Sequence, residues 1–154
     1  MRPSPGSKAP DFTLLTDTGE TLTLSALEGH PVVLFFYPKD DTSGCTIEAC
    51  EFRDQFPRFA QGNAVILGVS PDGVKSHAKF KAKFQLPYAL LADTEKVVVN
   101  AYDVWKEKSM YGRKYMGVER TTFVIDAKGR IAHVFEKVKP AGHAAEVQTV
   151  LDAL

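Results

Sequence analysis

Cysteine is scarce in this chain, with two among 154 residues. Two are too few for a disulfide scaffold, and a close pair in a reducing compartment points to metal binding or redox chemistry instead. Net charge is absent too. Lys and Arg, 19 together, cancel Asp and Glu, also 19. No overall field draws the chain to nucleic acid or to an anionic membrane. No apolar run approaches the ~18 residues of a membrane span. Met1-Arg2-Pro3-Ser4-Pro5-Gly6 lacks the apolar centre of a signal peptide. The expectation is a cytoplasmic protein. No glycine-rich loop suits a phosphate. His30, His77, His133 and His143 are scattered, and none stands at ligand spacing to the cysteines, which argues against zinc. Repeats, low-complexity tracts and linkers are missing, so residues 1–154 read as one domain.

What is present centres on one stretch. Val32-Val33-Leu34-Phe35-Phe36 is an apolar run that reads as a buried strand. The turn residues Pro38, Asp40, Asp41, Ser43 and Gly44 follow. Beyond them Ala49, Phe52, Phe56 and Phe59 recur at helical spacing. Cys45 therefore falls where a loop becomes the first turn of a helix. Backbone N–H groups there lack intrahelical partners, and the helix dipole favours an anion. A thiol so placed loses its proton more readily, and the thiolate is the nucleophile. The competing reading is a buried, inert cysteine. The polar turn and the helix start favour function. Cys50 lies five residues on (50 − 45).

The remaining chain alternates strands and helices. Met1 to Lys8 reads as loose. Asp11–Leu15 and Thr21–Leu24 read as a hairpin, and Ser25 caps a short helix through Glu28. The helix from about Cys45 ends near Phe59, with Pro57 a candidate kink. Ala64–Ser70 is a strand buried on both faces. Val74–Phe84 is a lysine-rich helix, Tyr88–Ala92 a short strand, and Asp93 caps a helix through about Tyr102. Trp105 to Gly117 reads as a loop. Thr121–Ile125 and Ile131–Val138 form a hairpin, and Pro140–Leu154 a closing helix. This pattern predicts an α/β fold, a central mixed sheet flanked by helices. It fits a thioredoxin-like fold with an added N-terminal β-hairpin.

The spacing Pro38-x-x-x-Thr42-x-x-Cys45 resembles the active-site loop of peroxiredoxins. The run Cys45-Thr46-Ile47-Glu48-Ala49-Cys50 is similar to the bacterioferritin-comigratory (PrxQ) subfamily. The resemblance continues at Ala9-Pro10-Asp11-Phe12, Gly68-Val69-Ser70 and Arg120–Asp126, in the family's order. It implies that Cys45 is the peroxidatic nucleophile and places Thr42, whose hydroxyl both donates and accepts, beside the peroxide. A turn or N-cap threonine is the competing reading. Pro38, with no N–H, would shape and shield the pocket, or merely end the strand. The resemblance pairs Arg120 with Cys45, where a guanidinium favours the thiolate. The alternative is a surface arginine paired with Glu119. Arg53 and Arg58 are too far along the helix to serve instead. Glu48 matches an acid that orients the arginine, or is simply an anion in the first helical turn. Cys50 is the candidate resolving thiol, since the helix over residues 74–84, where many relatives carry it, has no cysteine; the alternative is an external thiol, with Cys50 a packed bystander.

The resemblance implies a thiol peroxidase acting on hydrogen peroxide and organic hydroperoxides. Cys45 becomes a sulfenic acid, Cys50 condenses with it, and thioredoxin or a similar dithiol reduces the disulfide. No metal, haem or flavin is required, and a monomer is expected. A thioredoxin-like disulfide oxidoreductase is the first alternative, although Cys-x-x-Cys is missing. A noncatalytic peroxide sensor is the second.

Overall fold

The computed structural model describes residues 2–154. Nine strands and four helices follow the chain in the order β1 (Thr13–Thr16), β2 (Thr21–Thr23), β3 (Val32–Phe36), α1 (Ser43–Gln61), β4 (Val65–Ser70), α2 (Val74–Phe84), β5 (Ala89–Ala92), α3 (Val97–Ala101), β6 (Trp105–Met110), β7 (Arg113–Val118), β8 (Thr121–Ile125), β9 (Ile131–Phe135) and α4 (His143–Asp152). A seven-stranded mixed sheet runs β2-β1-β5-β4-β3-β8-β9. Its centre is parallel, β5 with β4 and β4 with β3. Antiparallel pairs complete both sides, including the N-terminal β1–β2 hairpin. This is the α/β architecture expected from the sequence.

β3 sits mid-sheet, and all five of its residues are buried. Its side chains alternate between faces, which divides the core in two. Val33, Phe35 and the following Tyr37 pack with Ala49, Phe52 and Phe59 of α1, Phe80 of α2, and Ala144 and Val147 of α4. Val32, Leu34 and Phe36 pack on the other face with Val98 and Val99 of α3 and with Tyr102 and Phe123. Phe35 lies at ring-stacking distance from Phe52, 4.8 Å between centroids, and this contact seats α1 on the sheet. Each fully buried aromatic of this size contributes about 1.5–3 kcal/mol from transfer alone.

Four sequence expectations give way. Trp105–Gly117, read as a loop, is the β6–β7 ribbon. Tyr111 and Gly112 join its strands with φ of 52° and 78°. Two positive φ values in a two-residue connection are the hallmark of a type I′ hairpin turn. Lys, Glu, Ser and Arg fill this exposed ribbon, so no apolar alternation marks it. The supposedly loose start is pinned, except that Met1 lies outside the described residues. Gly6 N–H donates to Ile131 O, Ile131 N–H to Ser7 O, and Ala9 N–H to Gly129 O. Arg2 bonds Glu119 at 2.6 Å. Finally, the helix expected from Asp93 begins only at Val97, after Lys96 at φ 59°. Asp93 still serves it, with Oδ2 accepting from Val99 N–H at 2.8 Å. The short helix expected from Ser25 is a 3-10 turn, Leu24–Leu27.

Gly68 on β4 shows how tightly the α1 face is filled. A Cβ there would lie 2.8 Å from Phe35 Cζ and 2.9 Å from Leu90 Cδ2. Both neighbours are fully buried and have nowhere to move. Gly68→Ala is expected to destabilise the fold by about 1–3 kcal/mol through overpacking. Urea unfolding of wild type and variant, compared by midpoint, checks this.

Candidate active site

The loop between β3 and α1 is built from outside inward. Tyr37 directly follows β3, and its hydroxyl donates to Asp40 Oδ1 at 2.6 Å. Asp40 Oδ2 accepts from Ser76 Oγ at 2.7 Å and faces His77 Nδ1 at 2.7 Å, so the loop is clasped to the start of α2. Asp40 N–H donates to Asp72, which Ser70 Oγ also reaches. Asp40 and His77 are buried. Nothing in the spacing of these residues marks them as a cluster; only the parallel β3–β4 pairing brings them together. Pro38 lies half-buried between β3 and this clasp.

α1 starts at Ser43, with Thr42 in the N-cap position. Thr42 does not cap with its side chain. Its hydroxyl donates to Lys39 O at 2.9 Å, closing the loop on itself. The first amide groups of α1 are therefore left without a side-chain cap. Cys45 stands third in the helix and is buried at 1% exposure.

Arg120, just before β8, reaches across to it. Arg120 Nη2 donates to Cys45 Sγ at 3.2 Å, and Nη1 donates to Glu48 Oε1 at 2.8 Å. Cys45 and Glu48 are three residues apart (48 − 45), hence on one face of α1. One guanidinium bridges both. The alternative partner, Glu119, is taken by Arg2. Arg53 and Arg58 pair elsewhere, with Asp54 and Asp152. Val138 N–H donates to Arg120 O and holds its backbone.

Two further residues complete the surroundings; sequence reading marks Gly44 only as a turn residue and does not single out Lys108. Gly44 leaves room for the arginine, since a Cβ there would lie 3.1 Å from Arg120 Nη2. Lys108 of β6 lies across Gly117, whose Cβ would meet Lys108 Cδ at 3.3 Å. Burial lowers the Lys108 pKa, as does Arg120, while Cys45 opposes. The β6–β7 ribbon thus brings a second cation toward the thiol.

Behind the site, Glu48 and His143 are buried. His143 Nε2 lies 4.0 Å from Glu48 Oε2 and 2.7 Å from Thr122 Oγ1, and Nδ1 lies 2.7 Å from Glu146 Oε1. Burial raises the Glu48 carboxyl to about 7, against the pull of Arg120. Burial lowers His143, against Glu146.

Cys50 is partly buried and unbridged. Burial raises its thiol, with Arg53 opposing. Both cysteines lie inside one unbroken helix. Residues five apart on a helix are separated by about 7.5 Å along the axis and roughly 140° in direction. A disulfide needs Cα atoms about 4.4–6.8 Å apart and converging Cβ vectors.

Residues 5–134 match the model of the AhpC/TSA family. The chain belongs to that family, as a peroxiredoxin of the bacterioferritin-comigratory (PrxQ) subfamily. Peroxiredoxin Bcp of Bacillus subtilis is 53% identical over 148 residues, covering 96% of this chain and 94% of that one. A PrxQ of Xylella fastidiosa, solved as a cysteine-to-serine mutant, superposes with a TM-score of 0.94 at 39% identity, covering 99% and 98% of the two chains. The bacterioferritin comigratory protein of Xanthomonas campestris, solved in connection with its alkyl peroxide reduction, superposes at 0.91 with 41% identity, covering 97% and 98%. Thiol-dependent peroxidase activity and the thioredoxin fold come with this membership. Among the described residues, no helix is long and apolar enough to cross a membrane.

Two outcomes are expected of this peroxiredoxin's site. Arg120→Ala removes the donor to Sγ and the counter-charge of Glu48. Iodoacetamide alkylation of Cys45, followed in a Cys50→Ser background at neutral pH, should slow about tenfold or more, ~1.4 kcal/mol in barrier terms. Glu48 acts on stability with a definite sign. Its folded pKa, about 7, lies above the ordinary 4.5, so the folded state holds more protons between those values. Stability from this group therefore falls as pH rises from about 4.5 to 7. Glu48→Gln should flatten that fall, by up to about 3 kcal/mol. Denaturant unfolding at the two ends of the window measures it.

Proposed function

We propose that Cys45 is the peroxidatic cysteine of an antioxidant cycle resolved within the chain. Its thiolate attacks the terminal oxygen of hydrogen peroxide or an organic hydroperoxide in line, releasing water or an alcohol. Cys45 becomes a sulfenic acid. The observation that carries this reading is the 3.2 Å contact from Arg120 Nη2 to Cys45 Sγ in a buried helix start. Arg120 favours the thiolate and offers donors to the moving charge. Glu48 orients Arg120, and Thr42 and Pro38 shape the loop over the sulfur. The alkyl peroxide reduction named for the Xanthomonas relative supports organic hydroperoxides as substrates.

Cys50 then condenses with the sulfenic acid, giving a Cys45–Cys50 disulfide and water. A single helix carries both cysteines, so its first turns unwind for this step. Thioredoxin or a similar dithiol reduces the disulfide, which requires a reducing compartment, the cytoplasm. The chain works as a monomer, since both cysteines of the cycle lie in one helix.

One set of variants tests the cycle. Cys45→Ser should abolish peroxide consumption with thioredoxin and its reductase while leaving the thermal melt unchanged. Residual activity within about tenfold of wild type, ~1.4 kcal/mol, contradicts the assignment. Cys50→Ser should accumulate sulfenic and sulfinic acid at Cys45, read as added oxygens by intact mass. Identical oxidised forms in wild type and Cys50→Ser would remove Cys50 as the resolving thiol.

A further inference from the structure

Cys45 and Glu48 compete for one guanidinium. Both lie on the same face of α1, both are at 1% exposure, and Arg120 donates one nitrogen to each. An anion at one of these positions takes up counter-charge that the other then lacks. The second carboxylate oxygen, Glu48 Oε2, is buried and has no hydrogen-bond partner among the described residues. An ionised carboxylate places charge on such an oxygen with no donor to meet it, whereas a neutral carboxyl buries no charge there. The groups facing Glu48 are Glu51 on α1, Arg120 before β8, Tyr88 before β5, and His143 with Glu146 on α4, and Cys45 shares its guanidinium. Lys108 faces the Arg120–Cys45 pair from β6.

We propose that Glu48 holds a proton while Cys45 is a thiolate and releases it when Cys45 is oxidised, matching the proton taken up by the leaving oxygen. This rests on the peroxidatic role of Cys45 proposed above. The balance is Cys45–S⁻ + ROOH + Glu48–COOH → Cys45–SOH + ROH + Glu48–COO⁻. The S–O bond forms as the O–O bond breaks; sulfur is oxidised and the peroxide reduced. The thiolate's electron pair goes into the new bond, and the alkoxide leaving from the peroxide needs one proton. Once sulfur carries a neutral sulfenic acid, Arg120 has one anion left to serve, and Glu48 becomes that anion. His143 and Glu146 stand beyond Glu48 on the α4 side. The elevation of Glu48 to about 7 places the exchange at neutral pH.

Proton uptake during a single oxidation reads this directly. Full-length Cys50→Ser protein is mixed with stoichiometric hydrogen peroxide in weak buffer near neutral pH, with a pH indicator. Ultraviolet thiolate absorbance gives the thiolate consumed, and intact mass gives the sulfenic acid formed. The expected uptake is well below one proton per thiolate consumed. Adding Glu48→Gln should restore it to one. Equal uptake with Glu48 present, one proton per thiolate, overturns the proposal. Infrared difference spectra of the same Cys50→Ser protein provide a readout that needs no Glu48 variant. A protonated-carboxyl band should vanish on oxidation, and a spectrum without that loss overturns the proposal equally. Failure of the peroxidatic reading looks different, because no oxygen is then added at Cys45.

Discussion

Arg120 has its charge placed between two side chains of one helix, and much of the architecture serves that placement. The guanidinium comes from the residue before β8, while its partners Cys45 and Glu48 come from α1. β8 and α1 meet only because β3 pairs with β8 on one edge and leads into α1 at its end. The stacking of Phe35 on Phe52 then fixes how far α1 sits from the sheet. Gly44 contributes by having no side chain, since the space a Cβ would need borders Arg120 Nη2. Sheet pairing, aromatic packing and one glycine thus converge on a contact of 3.2 Å.

The loop that delivers Cys45 is held more firmly than its composition suggests. Asp40 gathers Tyr37, Ser76 and His77 around one carboxylate, and its own N–H is taken by Asp72. Hydrogen bonds to a charged group contribute about 1.5–3 kcal/mol each. The polar cluster therefore joins the end of β3 to the start of α2 independently of what α1 does. Thr42, by contrast, is exposed, and its hydroxyl bonds only within the loop.

Much of the scaffold was legible in the sequence because apolar periodicity reports burial. β3, β4, β8 and α2 each follow a continuous or helical apolar pattern, and α2 falls on Val74–Phe84 as read. The β6–β7 ribbon was not legible. It is exposed on both faces over most of its length, so burial leaves no mark on it, and its type I′ turn places Tyr111 rather than Asn or Asp at the first positive φ. Lys108 was lost with it. Within the site, the local spacing of Thr42, Cys45, Glu48 and Cys50 was readable because one helix start holds them. The reach of Arg120 to that helix came only through family resemblance, since 75 residues separate it from Cys45. His143 and the Asp40 clasp were invisible for the same reason. Tertiary neighbours carry no sequence period.

A buried set of ionisable groups is poor material for stability. Replacing such a set by apolar side chains of similar volume is often neutral or stabilising, because desolvation offsets the mutual attraction. Here Glu48 carries that cost openly, with one oxygen unpartnered and its carboxyl raised to about 7. The cost is located in the first two turns of α1, the segment that must unwind for Cys50 to meet Cys45 on the proposed cycle. Unwinding returns Glu48, Cys45 and Cys50 to water, where each regains the hydration it lost. Toward the C-terminus of α1, Phe52 and Phe59 are fully buried and hold the helix to the sheet. On the other side, the Asp40 clasp holds the loop to α2. The desolvated groups therefore lie between two anchors. On the proposed cycle, the burial that equips the site for its first reaction also lowers the free energy of opening for its second. A site rebuilt with apolar neighbours would be more stable and slower to resolve.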